Sequence, residues 1–311
     1  MQLDEHLKTL GADEGLHQVM MACAQGVYEI SNIVRTGAAL GYAGTQNVFG
    51  EQQLKLDVAS NDVLLKVLRE QPLVDYVASE ELPEEIQISK QKAGTGNVEN
   101  SAEFSIAFDP LDGSSLVDVN FAVGTIIGIY PKGSFIGKKP GEMHAAMIAV
   151  YGPRTTLFVA LKGKGVHQYL LTDGGFMLQK TELKIAEEGK YFAPGNLRAC
   201  LKNPGYKRLV DFWLEGQYTL RYSGGMVPDI NHILLKGKGV FTYPGYTDEP
   251  NGKLRLLFEC GTMGFAIVEA GGAVSDGKIS MMEKSIEAID QRCPIIAGSV
   301  KEVEKALSFL I

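Results

Sequence analysis

Apolar residues in the first forty positions recur at intervals of three and four, which is the spacing of one face of an α-helix. The positions in this set are Leu16, Val19, Met20, Cys23, Val27, Ile30, Ile33 and Val34. A segment with three glycines, GYAGTQNVFGEQQ at 41–53, interrupts the pattern, and LDVASNDVLLKVLREQ at 56–71 resumes it. We therefore predict helices on both sides of a loop over 41–53.

From residue 104 to residue 161 the pattern changes to short apolar runs, several of them separated by glycine-bearing turns, which is typical of β-strands. Four runs have this form: FSIAF at 104–108, VGTIIGIY at 123–130, AAMIAVYG at 145–152 and TTLFVAL at 155–161. The segment HQYLLTDGGFMLQ at 167–179 predicts a hairpin that turns at Asp173-Gly174-Gly175.

Helical and strand patterns alternate along the chain without a low-complexity linker, which predicts an α/β or α+β protein. A chain of 311 residues is long enough for a large core, and two packed domains are the expected arrangement. We place the boundary near residue 175, with domains over 1–175 and 176–311.

Composition narrows the class of partner and the compartment. The net charge is −7, with Lys and Arg spread along the chain, which argues against a nucleic-acid or membrane partner. The four cysteines are far apart and predict reduced thiols. No apolar run approaches the roughly 20 residues of a membrane span, and the N-terminus resembles no signal peptide. We therefore expect a soluble, cytoplasmic protein, or a plastid one if a transit peptide has been removed.

The stretch AFDPLDGSS at 107–115 carries the first candidate chemistry. It places Asp109 and Asp112 where a predicted strand ends, and Pro110 between them should turn the chain out of the strand. The backbone N–H groups of Gly113, Ser114 and Ser115 would suit a phosphate. Because a phosphate beside two acids needs a cation between them, the pattern indicates Mg²⁺. The alternative is an Asx-type turn with solvated acids.

Other acids lie near ends of predicted elements or inside an apolar run. Glu80 and Glu81 follow an apolar segment, and Glu259 lies inside LRLLFEC, where an unpaired carboxylate would be costly. Either a metal ion or the neighbouring Arg255 would relieve that cost. Glu51 lies in the glycine-rich loop and Asp57 lies just after it. Both could add acids to the site, and the alternative is that their side chains are solvated.

Together these motifs resemble the class I sugar-bisphosphatase family, which contains fructose-1,6-bisphosphatases and sedoheptulose-1,7-bisphosphatases. FDPLDGSS at 108–115 matches the family signature. Further matches cover nearly the whole chain: GEQQLKLDVASND (50–62), SEE (79–81), VGTIIGIY (123–130), YGPRTT (151–156), RYSGGMVPD (221–229), YP (243–244) and NGKLRLLFE (251–259). The resemblance implies a layered α-β-α-β-α sandwich with the active site between its two halves.

The resemblance also implies a role for each matching residue. The site would bind two or three Mg²⁺ ions, which Mn²⁺ can replace. The implied ligands are Glu80, Glu81, Asp109, Asp112, Glu259, the Leu111 carbonyl and Glu51. At Glu51 the chain departs from the family, which has an aspartate there. The catalytic acids would be Glu81, Asp57 and Asp112. The scissile phosphate would lie in the cradle of Gly113, Ser114 and Ser115.

The remaining matches imply contacts to the substrate. The sugar and the distal phosphate would be bound by Asn196, Arg198, Tyr222, Tyr243, Lys253 and Arg255. Arg221 matches a residue that reaches into a neighbouring subunit's site, which implies a homo-oligomer, either a dimer or a tetramer.

Within the family, four stretches resemble the sedoheptulose enzymes more closely: 115–131, 151–156, 192–199 and 221–241. Fructose enzymes typically carry Asn-Glu-Gly-Tyr where this chain has Gly195-Asn196-Leu197-Arg198. An arginine there could bind a phosphate through two hydrogen bonds. We therefore expect hydrolysis of the 1-phosphate of sedoheptulose 1,7-bisphosphate to sedoheptulose 7-phosphate. The alternatives are a fructose-1,6-bisphosphatase or an enzyme of dual specificity, then an inositol or nucleotide phosphatase, then a non-catalytic scaffold.

Two departures from the family concern regulation. AMP-inhibited members have Gly-Thr-Gly-Glu near the N-terminus and a Lys-Tyr pair before the signature. This chain has LGADEGLH at 10–17 and Glu103-Phe104 instead, so we expect an acid to repel AMP. Plastid sedoheptulose enzymes carry two cysteines in a loop that here reads GYAGTQNVFG, so no thiol switch is expected in it.

Overall fold

The computed structural model describes residues 1–37, 41–46, 52–91 and 101–310. The first helices form where the apolar spacing predicts them, with α1 at Leu3–Thr9, α2 at Glu14–Thr36 and α3 at Lys55–Arg69. Asp13 caps α2 because its carboxylate accepts hydrogen bonds from the N–H groups of Gly15 and Leu16. Gly37 ends the helix in the left-handed conformation, at φ 63°.

The prediction of a loop over 41–53 was wrong in part. Two short antiparallel strands form in this segment, β1 at Tyr42–Gln46 and β2 at Gln52–Leu54. Several glycines close together disfavour a helix, but they are compatible with the tight turns and irregular pairing of a short hairpin. Residues 47–51 lie outside the described part of the chain.

The larger sheet has eight strands in the order β10-β9-β8-β7-β6-β5-β3-β4. Their bounds are β3 Val74–Ser79, β4 Ile86–Gln87, β5 Phe104–Asp112, β6 Val123–Pro131, β7 Ala145–Tyr151, β8 Thr155–Leu161, β9 Gly165–Thr172 and β10 Gly175–Leu183. The short helix α4, Ile88–Gln91, follows β4. The pair β3 and β5 is parallel, and the other neighbours are antiparallel. All four predicted strands and the predicted hairpin are confirmed.

The second sheet has five strands in the order β12-β11-β13-β15-β14. They are β11 Tyr191–Pro194, β12 Thr219–Leu220, β13 Val240–Tyr243, β14 Ala273–Ser275 and β15 Ile295–Gly298. Four helices accompany them: α5 Pro204–Glu215, α6 Met226–Lys236, α7 Gly261–Glu269 and α8 Val300–Leu310.

Three hydrophobic cores show how these elements are layered. One joins α2 and α3 to one face of the larger sheet, to which Ile127 and Ile129 belong. The next contains Ile126 from the opposite face, helices α6 and α7, and one face of the second sheet. The last joins the other face of that sheet to α5 and α8. The order of layers is therefore α-β-α-β-α, as predicted.

The first sheet extends as far as Leu183, and the second begins at Tyr191. The domain boundary near residue 175 stays a prediction. The cysteines are free thiols, as expected. Within the described ranges, no helix combines the length and apolarity that a membrane crossing requires.

Candidate active site

The end of β5 is irregular, and the irregularity turns two carboxylates to the same side. Asp109 pairs with Ile126 of β6 and Asp112 pairs with Gly124, so three steps along β5 match two along β6. Pro110 has no N–H to give to the ladder, and its carbonyl accepts a hydrogen bond of 2.8 Å from the Thr125 hydroxyl. The prediction that the chain leaves the strand at Pro110 was wrong, because β5 continues through this bulge to Asp112.

Three buried carboxylates meet beside the bulge. Asp109, Asp112 and Glu259 each offer an oxygen, and these oxygens lie within 4.8 Å of one another. Glu259 comes from a π-helical turn, Leu256–Cys260, that leads into α7. The exposed fractions of the three residues are only 4%, 7% and 6%. They form the acid cluster.

Each member of the acid cluster accepts a backbone hydrogen bond, which fixes its direction. The N–H of Leu111 donates to Asp109 at 2.9 Å, and that of Arg255 donates to Glu259 at 2.6 Å. The N–H of Val227, in the first turn of α6, donates to Asp112 at 2.7 Å. The acid cluster is therefore assembled from the larger sheet and from both helices of the middle layer.

Burial raises the pKa of every member of the acid cluster, and repulsion between the carboxylates adds to this for Asp109 and Glu259. Burial raises the pKa of Asp109 well above its ordinary range, and the charges of Asp112 and Glu259 add to this. Burial raises the pKa of Asp112 to about 6, against the hydrogen bond from Val227. Burial, and then the charge of Asp112, raise the pKa of Glu259 to about 7. Charged carboxylates at this distance destabilise the fold unless a cation balances them.

This donor set fits a divalent cation that prefers oxygen ligands. Carboxylate oxygens are hard donors, and three of them already converge within one coordination sphere. No soft donor belongs to this group in the described part of the chain.

The turn after β3 brings two further acids to the acid cluster. The N–H of Glu80 donates to the carbonyl of Phe108 at 3.1 Å, which sets this turn beside the end of β5. The Glu80 carboxylate pairs with the guanidinium group of Arg255. The charge of Glu81 helps to raise the pKa of Asp109, so Glu81 also faces the acid cluster.

Arg255 bears on the alternative that this residue, and not a metal ion, relieves the cost of burying the Glu259 carboxylate. Its backbone binds Glu259 and its side chain binds Glu80, so it organises the acids from within. The predicted contact of Arg255 with the substrate stays a prediction.

The acid cluster opens into a cavity of about 830 Å³. Asp57 lines it from the first turn of α3, where its carboxylate accepts a hydrogen bond of 2.9 Å from the N–H of Leu54. Gly113 takes a φ of 81°, which favours glycine, and starts a 3₁₀ turn over Ser114–Val119. Gly113, Ser114 and Ser115 all line the cavity.

Segments around the second sheet form much of the remaining wall of the cavity. Asn196 and Arg198 follow β11, Tyr222 precedes α6, and Tyr243 ends β13. Lys253 also lines the wall, and its charge lowers the pKa values of Asp112 and Glu259 against the effect of burial. Cationic and phenolic side chains from these segments therefore share the cavity with the acid cluster.

Among the predicted site residues that the structure describes, Arg221 is the one that does not line this cavity. Arg221 is exposed, donates a hydrogen bond of 2.9 Å to the Leu220 carbonyl, and stacks 5.3 Å from the ring centre of Tyr191. Glu51 lies outside the described residues. The roles predicted for these two residues stay predictions.

Sequence reasoning missed several side chains that line the cavity, among them Asp229, Tyr246, Glu249 and Arg292. Asp229 ends the matched stretch RYSGGMVPD, so the signal was present, but no role was assigned to it. No local pattern marks the other three, because their position depends on how distant loops meet.

Comparison with known proteins covers the whole chain. The model described as Fructose-1-6-bisphosphatase, N-terminal domain, matches residues 1–181, and that of the C-terminal domain matches residues 185–310. The class 1 fructose-1,6-bisphosphatase of Pelobacter propionicus is 43% identical, over 100% of this chain and 93% of that protein. The chloroplastic sedoheptulose-1,7-bisphosphatase of Triticum aestivum is also 43% identical, over 97% of this chain and 74% of that protein.

A solved structure of a fructose-1,6-bisphosphatase is similar to this chain over nearly its whole length. The holo form of Leishmania major fructose-1,6-bisphosphatase superposes with a TM-score of 0.91 at 30% identity, over 99% of this chain and 98% of that one. The curated relatives thus carry the names of enzymes for two different sugars at equal identity.

Proposed function

Because this chain belongs to the fructose-1,6-bisphosphatase family and is a sugar bisphosphatase, a phosphoric monoester hydrolase, we propose that its substrate is sedoheptulose 1,7-bisphosphate. The reaction would be Mg²⁺-dependent hydrolysis of the 1-phosphate. The observation that carries the choice of sugar is Arg198, which lines the cavity from the 3₁₀ turn that follows β11.

The acid cluster would hold the metal. Asp109, Asp112 and Glu259, with Glu80, Glu81 and the Leu111 carbonyl, offer enough oxygens for two or three Mg²⁺ ions. When bound, Mg²⁺ supplies the charge that neutralises phosphate oxygens and lowers the pKa of a water molecule. Mn²⁺ would fit the same donors.

The chain's own groups then orient the reactants. Glu81 and Asp57 line the cavity near the acid cluster and would hold the attacking water and accept its proton. The N–H groups of Gly113, Ser114 and Ser115 would hold the scissile phosphate at the start of the 3₁₀ turn. Asp112 would belong to both groups, as a ligand and as a neighbour of this cradle.

The distal phosphate would lie against the second sheet. Arg198 and Lys253 provide charge there, and Asn196, Tyr222 and Tyr243 provide hydrogen-bond donors. Arg221 would act on the site of a neighbouring subunit in a homo-oligomer, which agrees with its exposure and its absence from the cavity of its own chain.

Phosphate release from sedoheptulose 1,7-bisphosphate and fructose 1,6-bisphosphate, with Mg²⁺ present, tests this proposal. We expect the higher kcat/KM with the seven-carbon substrate. A higher value with the six-carbon substrate, or equal values, would establish the second candidate, a fructose or dual-specificity enzyme. The equal identity to relatives of both names supports that candidate. Release from neither substrate would reject both.

Arg198→Tyr should shift the ratio of the two kcat/KM values about tenfold towards fructose 1,6-bisphosphate. The arginine can make two charged hydrogen bonds to a phosphate, while a tyrosine hydroxyl makes one, and a difference of about 1.4 kcal/mol corresponds to tenfold. Arg208→Tyr, on the exposed side of α5, is the matched control and should leave the ratio unchanged. An unchanged ratio in Arg198→Tyr would remove this residue from the choice of sugar.

AMP should not inhibit the enzyme. A Cβ atom on Gly15 would lie 3.1 Å from a Glu103 carboxylate oxygen and 3.3 Å from one of Asp13, so two acids crowd the start of α2. These carboxylates would repel a nucleotide phosphate. The measurement is the rate of phosphate release against AMP concentration, with Mg²⁺ in large excess because AMP binds Mg²⁺. Inhibition that persists in excess Mg²⁺ would contradict this prediction.

A further inference from the structure

Asp229 lines the cavity from the first turn of α6, and none of the roles described above involves it. Its exposed fraction is 4%. Its carboxylate accepts a hydrogen bond of 2.8 Å from the backbone N–H of Ser223, and the Ser223 hydroxyl also interacts with it. A buried carboxylate at a helix start thus reaches back six residues along the chain.

The segment that it reaches, 221–225, is attached at its start, because the Arg221 N–H donates to the Phe192 carbonyl at 2.9 Å. It forms no helix or strand until α6 begins, and Gly224 takes a φ of 97°. Tyr222 lines the cavity although 57% of it is exposed. The Ser223 hydroxyl also bonds to the backbone of Gly225. Tyr222 lies between the hydrogen bond of Arg221 and that of Ser223, so the bond to Asp229 helps to fix where Tyr222 stands.

The first turn of α6, which carries Asp229, is itself held in place. The N–H of Val227, two residues before Asp229, donates to Asp112 at 2.7 Å. A Cβ atom on Gly124 would lie 2.4 Å from the Val227 side chain and 2.3 Å from the Ala149 carbonyl, so α6 begins in direct contact with the larger sheet. The first turn of α6 is fixed relative to the acid cluster.

We propose that Asp229 is a positioning residue for this reaction: it fixes the Tyr222 segment relative to Asp112. It would thereby set the separation between the groups that bind the distal phosphate and those that act on the scissile phosphate. This inference rests on the proposed function. An acid in the first turn of a helix also interacts favourably with the helix dipole, and that effect alone would stabilise α6 without any preference for one substrate.

Comparing two substrates distinguishes a positioning role of Asp229 from a role that only stabilises α6. Asp229→Ala should lower kcat/KM for the bisphosphate by about 30-fold, mainly through KM, since misplacement by about 1 Å can cost 10²-fold. Hydrolysis of fructose 1-phosphate, which lacks the distal phosphate, should change by less than about threefold. Equal losses with both substrates, or no loss with the bisphosphate, would overturn the proposal.

Asp229→Asn provides a second variant with almost the same shape. Its amide oxygen still accepts from Ser223, but it is a weaker acceptor than a carboxylate. We expect a rise of about threefold in KM for the bisphosphate and an unchanged rate with fructose 1-phosphate. A loss shared by both substrates would overturn the proposal here as well.

Hydrogen exchange at the amide of Ser223 tests its hydrogen bond to Asp229 without any catalysis. It should be fastest in Asp229→Ala, intermediate in Asp229→Asn and slowest in the wild type. Unchanged exchange would overturn the proposal, even if the wild type proved inactive with both bisphosphates and the proposed function itself failed. The matched control is Asp276→Ala, because Asp276 holds a turn through the N–H groups of Lys278 and Ile279 at 2.8 Å, outside the cavity. It should affect neither Ser223 nor the substrate ratio.

Discussion

Asp109→Asn should lower kcat/KM for the bisphosphate by at least about 10³-fold and, at the same time, raise the melting temperature of the metal-free protein. Loss of activity is expected because Asp109 is one of three carboxylates whose oxygens lie within 4.8 Å of one another and would share the metal. The gain in stability is expected because burial and the charges of Asp112 and Glu259 raise the pKa of Asp109 well above its ordinary range. Removing that carboxylate removes a repulsion that the apo protein cannot balance.

The variant preserves the local geometry. The hydrogen bond of 2.9 Å from the N–H of Leu111 needs only an oxygen acceptor, and the asparagine amide retains one. Phosphate release and thermal unfolding in a chelator are the two measurements.

Asp75→Asn is the matched control for Asp109→Asn. Asp75 is another buried aspartate, but it lies outside the cavity and accepts from the Ser89 hydroxyl and the Gly133 N–H at 2.5 and 3.1 Å. Its replacement should lower the melting temperature and leave kcat/KM within about threefold, as for a change that only weakens a buried hydrogen bond. Full activity in Asp109→Asn would reject the acid cluster as the reacting site, and a lower melting temperature would reject the electrostatic account.

Local pattern was enough for most elements of the fold, whereas the order of the layers was predicted from the resemblance. The spacing of Val19, Cys23 and Val27 predicts α2, and the alternation of β6 places Ile126 and Ile127 in two different cores. These features depend only on which face of an element is apolar, which neighbouring residues reveal. The hairpin β1–β2 was not predicted, because glycines indicate where a helix ends but do not show whether a strand or a loop follows.

The candidate site was predicted by residue type and resemblance, but its assembly was not. Pro110 indicated a turn, and only the pairing of β5 with β6 shows that the chain absorbs it as a bulge. The direction of the Asp112 carboxylate could not be predicted either, because its hydrogen-bond partner Val227 lies 115 residues away along the chain. Asp229 was missed for a related reason, because the role that we propose for it depends on a hydrogen bond from Ser223 that no local pattern reveals.

Removal of the metal should abolish activity and should reverse the pH dependence of stability around the acid cluster. The pKa of Asp112 is raised to about 6 and that of Glu259 to about 7, from ordinary values of 3.8 and 4.5. A group whose pKa is raised on folding favours the fold while it is protonated. In the apo protein this contribution is complete below about pH 4 and is lost as the pH rises through about 6 to 7.

A bound divalent cation changes the sign, because it needs the same carboxylates ionised, and its affinity therefore increases with pH. We expect the melting temperature in millimolar Mg²⁺, minus that in a chelator, to be at least about 5 °C larger near pH 8 than near pH 5.5. Taking the difference cancels the titration of groups elsewhere in the protein. Glu259→Gln, which removes one of the titrating groups, should flatten the dependence. If the two melting curves stayed parallel across this range, the acid cluster would not be the metal site, whichever sugar the enzyme prefers.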